Sequence, residues 1–409
     1  MRPPGSAGDF PEESREARKT LALLGALCFF LSAIEYLIPK PLPFMRLGLA
    51  NMPLLLALRI LGPKDFVLLA ILKVLGQGLV GGTFLSFIFL FSIAGTFSSA
   101  FVMYLLNRLF GRHVGFVGVG CAGAMVSNGV QLLLARRLVF GDAALYLAPP
   151  FLAAGFVVGI GLGFVCEYFA ARSAWFAYRS KSAVLKTPVE LGEPEWNAPN
   201  PKTPKRKPES PLKRRWENLF NADELFVAGL LMALIFLHDR ALPGHLAQFL
   251  FFCILVMLSG KRNNFVATAV FVSSIVFFSL LVPHGKILFS LGPLQVTKGS
   301  LFSGIERALT LSGLMMLSRV FVRGDLRLPG NLGSLLGQSM RVLEMMREKK
   351  AMIAKGRVIS GIDRMIFEIE AAQTGDSDSG PRKETRRSVK GIALLAAMIA
   401  FTAALAFWR

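Results

Sequence analysis

The chain has 409 residues, of which 53% are hydrophobic and only 18% are charged, and its formal net charge is +20. A mean hydropathy of +0.53 together with repeated apolar runs of about 18 to 22 residues predicts an all-α fold, a polytopic helical membrane protein. The excess of Lys and Arg falls largely between the apolar runs and in the tails, as the positive-inside rule describes, so it argues against a nucleic-acid-binding protein.

The first half predicts six membrane spans. Residues 1–20 are polar and are expected to be a disordered cytoplasmic tail, because Arg15, Arg18 and Lys19 precede the first apolar run. No small-residue cleavage site follows that run, so we expect a retained span rather than a signal peptide. The six spans, within a domain of residues 21–172, are predicted at 21–38, 47–61, 66–80, 84–106, 114–134 and 145–170.

Polar side chains interrupt the second and third of these runs. Asn51 lies near the start of the second, and Lys73 and Gln77 lie within the third. A charge near the bilayer centre costs roughly 2.5 to 3.5 kcal/mol on insertion scales, so Lys73 is expected to face protein, water or a ligand. Lys73 and Gln77 are four residues apart and share a helix face, which indicates a binding site. The alternative is a lysine that snorkels or pairs with a carboxylate such as Glu35.

The fifth run carries two more amides, Asn128 and Gln131, on one helix face. Each could bind a ligand or could form a hydrogen bond between helices. Arg46 and Lys73 together suggest a ligand with a carboxylate or a phosphate, although buried lysines also neutralise protein acids. The predicted substrate-binding residues are Arg46, Asn51, Lys73, Gln77, Asn128 and Gln131.

The composition changes at residues 173–217, which are basic, rich in proline and poor in apolar residues. We expect a cytoplasmic linker there, either simply solvated or holding anionic lipid headgroups. The second domain, residues 218–409, predicts five spans at 225–237, 246–258, 265–282, 305–322 and 389–408. An extended segment is expected near Gly285 to Leu294. Residues 328–373 alternate apolar and basic positions at helical spacing, which predicts amphipathic helices at the inner membrane face. The expected architecture is eleven spans in two bundles of six and five.

Several chemistries lack their motifs. Gly260 and Lys261 are followed by Arg262 rather than Ser or Thr, so no phosphate-binding loop is present. The chain has no aspartate-rich D-D-x-x-D pair and no G-x-S-x-G elbow. The four cysteines form no C-x-x-C, and the four histidines are scattered. We therefore expect no enzyme, no cofactor and no metal.

Four motifs of the first half resemble the Gx transporter family, also called heptaprenyl diphosphate synthase component I. They are Arg46 to Asn51, Gly62 to Lys64, Lys73, and Gly82 to Phe84. The resemblance covers about residues 20–172. It implies likeness to the S components of energy-coupling-factor vitamin transporters, six-helix membrane proteins that hold a small molecule between helices.

The second half is similar to the T component of the same transporters over about residues 218–408. The resemblance is carried by Gly285 to Phe289 through Thr297, Gly299, Gly304 and Arg307. It implies that cytoplasmic helices press Ala-Arg-Ser or Ala-Arg-Gly triplets into two ATPase subunits. Here the nearest segment, Ala354 to Arg357, has lysine where the family has arginine. The candidate coupling residues are Arg347, Lys355, Arg357 and Arg364.

Three functions follow as hypotheses. The first is a fused membrane subunit of an ATP-driven importer in the bacterial cytoplasmic membrane, capturing a vitamin-like or isoprenoid-related molecule and binding separate ABC-type ATPases. The second is an auxiliary subunit of prenyl diphosphate synthesis, with Lys73 and Arg46 near the diphosphate and phenylalanine-rich walls around the tail. The third is an inert membrane scaffold.

Overall fold

The computed structural model describes residues 12–37, 48–185, 211–238, 242–261, 265–291, 294–324, 326, 330–349, 358–374 and 389–407. Helices dominate, as the sequence predicts, and a two-stranded hairpin is the exception among these residues. In the first half the helices are α1 Glu12–Leu37, α2 Met52–Ala57, α3 Pro63–Gly81, α4 Phe87–Phe110, α5 Phe116–Ala135, α6 Ala144–Arg172 and α7 Ala174–Leu185. In the second half they are α8 Pro211–Leu219, α9 Ala222–His238, α10 Leu242–Leu258, α11 Phe265–Leu280, α12 Lys298–Phe321, α13 Gly330–Lys349, α14 Val358–Thr374 and α15 Val389–Phe407.

The class of polytopic helical membrane protein is confirmed. Helical segments long and apolar enough to cross a bilayer are Glu16–Glu35, Phe87–Phe110, Phe116–Arg172 and Val389–Ala406, within the described parts of the chain. The bent pair α8 and α9 would be another if it counts as one span, and α10 and α11 are shorter apolar helices. The predicted total of eleven spans includes residues 47–61, which the structure folds as a short turn and helix instead.

The second predicted span, residues 47–61, is not a span in the structure. It forms a 3₁₀ turn, Leu49–Asn51, and then α2 of only six residues, about 9 Å long against a hydrocarbon core of about 30 Å. Gly48 precedes it in the left-handed conformation with φ +75°. The run is apolar because Leu54, Leu55 and Leu56 are buried inside the protein, and hydrophobicity alone does not separate burial in protein from burial in lipid.

Helices α5 and α6 pack backbone against backbone. A Cβ added to Gly159 would lie 2.8 Å from Cys121 Cα, and one on Gly163 would lie 2.8 Å from Val117 N. Gly120 completes the contact, because its own Cβ would lie 3.1 Å from Gly159 O. Small residues let membrane helices approach this closely, so α5 and α6 form one closely packed pair.

The second half is built around α12. Thr297 caps this helix by accepting a hydrogen bond from Ser300 N–H, and α12 packs against α9, α10 and α11. The predicted extended segment is the antiparallel hairpin of β1 Ile287–Leu291 and β2 Leu294–Thr297.

The two halves are packed together. Ser318 Oγ on α12 donates to Gly82 O at 2.7 Å and accepts from Leu85 N–H at 3.1 Å. Phe87 and Phe271 stack with ring centroids 5.6 Å apart. The turn between α3 and α4 is therefore fixed to α12, so the predicted bundles share an interface.

The amphipathic helices α13 and α14 lie against the first half. α13 packs along α1 and reaches α3, and its apolar face joins their core through Leu335, Leu336 and Met346. The rest of the helix surface includes the exposed side chains of Arg341 and Arg347. This pattern of one apolar and one charged face is what the sequence predicts for residues 328–373.

Both ends of the predicted linker are helical in the structure. α7 begins at the end of α6 and buries Trp175 and Phe176, and α8 buries Trp216. Residues 186–210, the middle of the predicted linker, lie outside the described residues. The sequence prediction missed α7 and α8 because three aromatic residues among many charges weigh little in an average composition.

Helix α14 holds the start of α7. Asp363 accepts hydrogen bonds from Ser173 Oγ at 2.5 Å and from Ala174 N–H at 2.8 Å. Trp175 Nε1–H and Arg179 both donate to Glu370 Oε1, at 3.1 and 3.0 Å. Asp363 thus serves as the cap of α7 although it belongs to another helix.

Glycine substitutions in α6 test the helix contact. Gly163→Ala should lower the thermal melting temperature, Tm, of the purified protein, because its methyl group would meet the backbone of α5. Gly161→Ala is the matched control, since nothing lies within 4 Å of a Cβ there. It should leave Tm unchanged or raise it slightly. Equal effects of the two substitutions would contradict backbone contact at Gly163.

The cap formed by Asp363 should make the stability of the protein depend on pH. Burial raises the pKa of the Asp363 carboxyl above its ordinary value, against the hydrogen bonds from Ser173 and Ala174, which lower it. An acid whose pKa is higher in the folded state binds its proton more tightly there, so its contribution to the free energy of unfolding falls as pH rises through that window.

We therefore expect wild type to lose Tm relative to Asp363→Asn between a pH below about 3.9, the ordinary Asp value, and neutral pH. The exposed Glu348→Gln is the control and should follow wild type. A constant difference between wild type and Asp363→Asn across this range would show that the carboxyl does not titrate as inferred.

Candidate functional site

A pocket lies in the first half, among α1, the 3₁₀ turn, α3, α4, α5 and α6. The empty space between its lining atoms, with the open solvent at the mouth included, is about 590 Å³. Five predicted substrate-binding residues line it: Asn51, Lys73, Gln77, Asn128 and Gln131. The sixth, Arg46, lies outside the described residues. The structure thus brings together amides and a cation from three separate segments, the 3₁₀ turn, α3 and α5, while their role in binding stays a prediction.

Lys73 joins three segments of the pocket. Its side chain is 3% exposed, and Nζ donates to Asn51 Oδ1 and, at 3.1 Å, to Thr96 Oγ1. Asn51 ends the 3₁₀ turn and Thr96 lies on α4. An ammonium group held by two oxygens at this depth avoids the cost of an uncompensated buried charge.

Gln77 forms a second polar connection one turn further along α3. Its Nε2 donates to Ser32 Oγ of α1 at 3.1 Å, and its Oε1 accepts from Ser92 Oγ of α4 at 3.2 Å. Ser92 and Thr96 are four residues apart on α4, as Lys73 and Gln77 are on α3. Residues at this spacing share one face of a helix, so the two polar pairs can meet where the helices pack together. This matching spacing is the signal that could have identified Ser92 and Thr96 from the sequence.

The α5 wall carries Asn128 and Gln131. Asn128 Nδ2 donates to Phe151 O on α6 at 3.1 Å, so the helix-to-helix interpretation applies to that amide. Gln131 Nε2 donates to Ser127 Oγ at 3.0 Å. Gln131 Oε1 is buried and has no hydrogen-bond partner among the described residues. Asn128 therefore holds two helices together, whereas the side-chain oxygen of Gln131 can still accept a hydrogen bond from a ligand.

An acidic group lines the same pocket. Glu35 of α1 is 4% exposed, and its Oε2 accepts from Leu49 N–H at 3.1 Å. The left-handed conformation of Gly48 brings the turn over this carboxylate. Glu35 was considered from the sequence only as a possible partner of Lys73. The structure adds it to the lining, so the pocket holds a positive and a negative side chain.

The pocket walls are small and aliphatic. Its apolar lining consists of glycine, alanine, valine and leucine, with no phenylalanine among the described residues. The phenylalanine-rich walls that the prenyl hypothesis requires are therefore absent from this described lining.

The four candidate coupling residues have different surroundings. Arg347 is exposed on α13, and Arg364 of α14 donates to Glu368 Oε1 at 3.1 Å. Lys349 Nζ lies 2.8 Å from Glu368 Oε2, which joins α13 to α14. Partial burial opposes the shift, but Lys349 and Arg364 hold the pKa of Glu368 below its ordinary value. Lys355 and Arg357 lie outside the described residues.

Comparison with known families divides the chain in two. Residues 24–169 match the family model described as heptaprenyl diphosphate synthase component I, and residues 225–324 match a domain of unknown function. No curated protein and no solved structure matches the chain. The first match supports the resemblance stated for the amino-terminal half, and the likeness of the second half to a T component stays a prediction.

Lys73→Met tests the pocket. If the buried ammonium contacts a ligand, its removal should weaken binding at least about tenfold, because a hydrogen bond to a charged group contributes roughly 1.5 to 3 kcal/mol. The measurement is the amount of small molecule retained by gently purified protein, determined by mass spectrometry. Lys64→Met, on the exposed start of α3, is the matched control. Equal retention by both variants at equal Tm would remove Lys73 from the site.

Proposed function

We propose that the protein is a membrane subunit of an energy-coupling-factor-type importer. In this proposal the amino-terminal half captures a small molecule in the pocket, and the carboxy-terminal half connects the pocket to separate ABC-type ATPases. The protein would lie in a bacterial cytoplasmic membrane with its amino terminus inside. The match of residues 24–169 to the family model described as heptaprenyl diphosphate synthase component I agrees with the resemblance of this half to the Gx transporter family, which supports the first part.

One observation carries the proposal. The amphipathic helix α13 of the carboxy-terminal half packs along α1 and reaches α3, and these two helices supply Glu35, Lys73 and Gln77 to the pocket. Displacement of α13 by a partner would therefore act directly on helices that line the binding site.

A second contact also connects an amphipathic helix of the carboxy-terminal half to the pocket. α6 lines the pocket through Gly155, Val158 and Leu162 and runs on to Ser173, which donates to Asp363 of α14. Both amphipathic helices thus contact segments that continue into the pocket. An inert scaffold has no need of such an arrangement.

Auxiliary prenyl diphosphate synthesis remains the second candidate, because the family matched by the amino-terminal half carries that description. The described pocket favours transport, since its lining includes small aliphatic side chains and no phenylalanine. The sequence also lacks the aspartate-rich pair that would hold magnesium on a diphosphate.

Charge reversal on α13 tests the coupling. Arg347→Glu should reduce the amount of ABC-type ATPase that copurifies from the native host, because Arg347 is exposed on the helix proposed to bind it. Arg341→Glu is the matched control: Arg341 is also exposed and lies six residues earlier, which places it about 240° around the same helix.

An ATPase that copurifies with wild type and is lost only with Arg347→Glu supports the proposal. Failure to recover any ATPase with wild type overturns it. Copurification of a soluble subunit bearing a D-D-x-x-D motif would favour the second candidate.

A further inference from the structure

The pocket contains a hydrogen-bond acceptor that the described part of the chain does not use. Gln131 is 4% exposed and lines the pocket. Its Nε2 is engaged by Ser127 Oγ, whereas its Oε1 has no partner among the described residues. A buried acceptor without a partner costs free energy, so native proteins rarely keep one without a reason.

Gly95 and Gly155 make room around the α5 amides. A Cβ on Gly95 would lie 2.5 Å from Gln131 Nε2 and 2.8 Å from Ser127 Oγ. A Cβ on Gly155 would overlap the Asn128 amide. Glycine on both neighbouring helices therefore allows two amides to sit at the pocket wall, and Gln131 is held there by Ser127.

The charges of the pocket nearly balance. Lys73 and Glu35, with opposite formal charges, are both almost fully buried and line the same space. A diphosphate would bring at least two negative charges to a described lining that holds one cation and one acid. Burying charge without compensation is costly, so this lining disfavours a polyanion.

We propose that the pocket binds a compact solute that carries no net charge and donates an N–H or O–H hydrogen bond to Gln131 Oε1. The class includes neutral heterocycles with amino or hydroxyl groups and small zwitterions, and it excludes prenyl diphosphates. This inference rests on the proposed function for the view that the bound solute is a transported substrate. The binding itself requires no ATPase, so the two proposals fail separately.

The test uses the full chain in lipid nanodiscs, without any ATPase. Native mass spectrometry measures what the purified protein retains. Thermal shift then compares three neutral donor-bearing probes, pyridoxine, nicotinamide and cytosine, with inorganic diphosphate and isopentenyl diphosphate. We expect a retained neutral compound with an N–H or O–H group, or a Tm increase with at least one neutral probe, and none with either diphosphate.

Gln131→Met supplies the matched variant, because it keeps the side-chain size and removes the acceptor. Binding of the neutral compound should fall at least about tenfold, as expected for a lost buried hydrogen bond. The ligand-free protein should change little in Tm, because removal of an unsatisfied acceptor offsets the loss of the hydrogen bond from Gln131 Nε2 to Ser127 Oγ. A purely structural role for Gln131 would lower the ligand-free Tm instead.

Three results would overturn the inference. They are retention or stabilisation by a diphosphate, a neutral compound that binds Gln131→Met as well as wild type, and the absence of any neutral compound in both measurements. Loss of ATPase copurification with intact neutral binding would instead count against the importer and leave this inference standing.

Discussion

The amino-terminal half depends on how one buried ammonium is accommodated. Lys73 is almost fully buried on an apolar helix, and it obtains oxygen acceptors from Asn51 and Thr96. Meeting this requirement draws a 3₁₀ turn and α4 toward α3. The run that the sequence predicts as the second span forms this turn and the short α2 instead, and the pocket lies beside it. The same side chain thus helps to determine both the architecture and the polarity of the site.

The carboxy-terminal half contacts the amino-terminal half through α12, α13 and α14. Ser318 of α12 fastens the turn between α3 and α4, and α13 covers α1 with its apolar face. Asp363 and Glu370 of α14 extend the contact to α7. These contacts combine side chains from positions far apart in sequence, so the two halves form one packed structure although each matches a different family model.

Much of this arrangement follows from the sequence. Polar residues in apolar runs identified Lys73, Gln77, Asn128 and Gln131 as neighbours of a cavity, because lipid disfavours them and helical spacing sets their faces. The short α2 could not be predicted, since a run of leucines is equally suited to lipid and to a protein core. Ser92 and Thr96 were missed because hydroxyl side chains in membrane helices commonly bond to their own backbone. Whether Gln131 would find a hydrogen-bond partner depended on how α4 packs against α5. That packing cannot be predicted from a single sequence.

The glycine contact between α5 and α6 constrains how the pocket can admit a molecule. Backbone touches backbone at Gly120, Gly159 and Gly163, which leaves no side chain there to swing aside. We therefore expect this wall of the pocket to stay closed when a molecule enters. We expect a molecule to enter on the opposite side, where α3 contacts α1 and α4 through side-chain hydrogen bonds that an incoming polar molecule can replace.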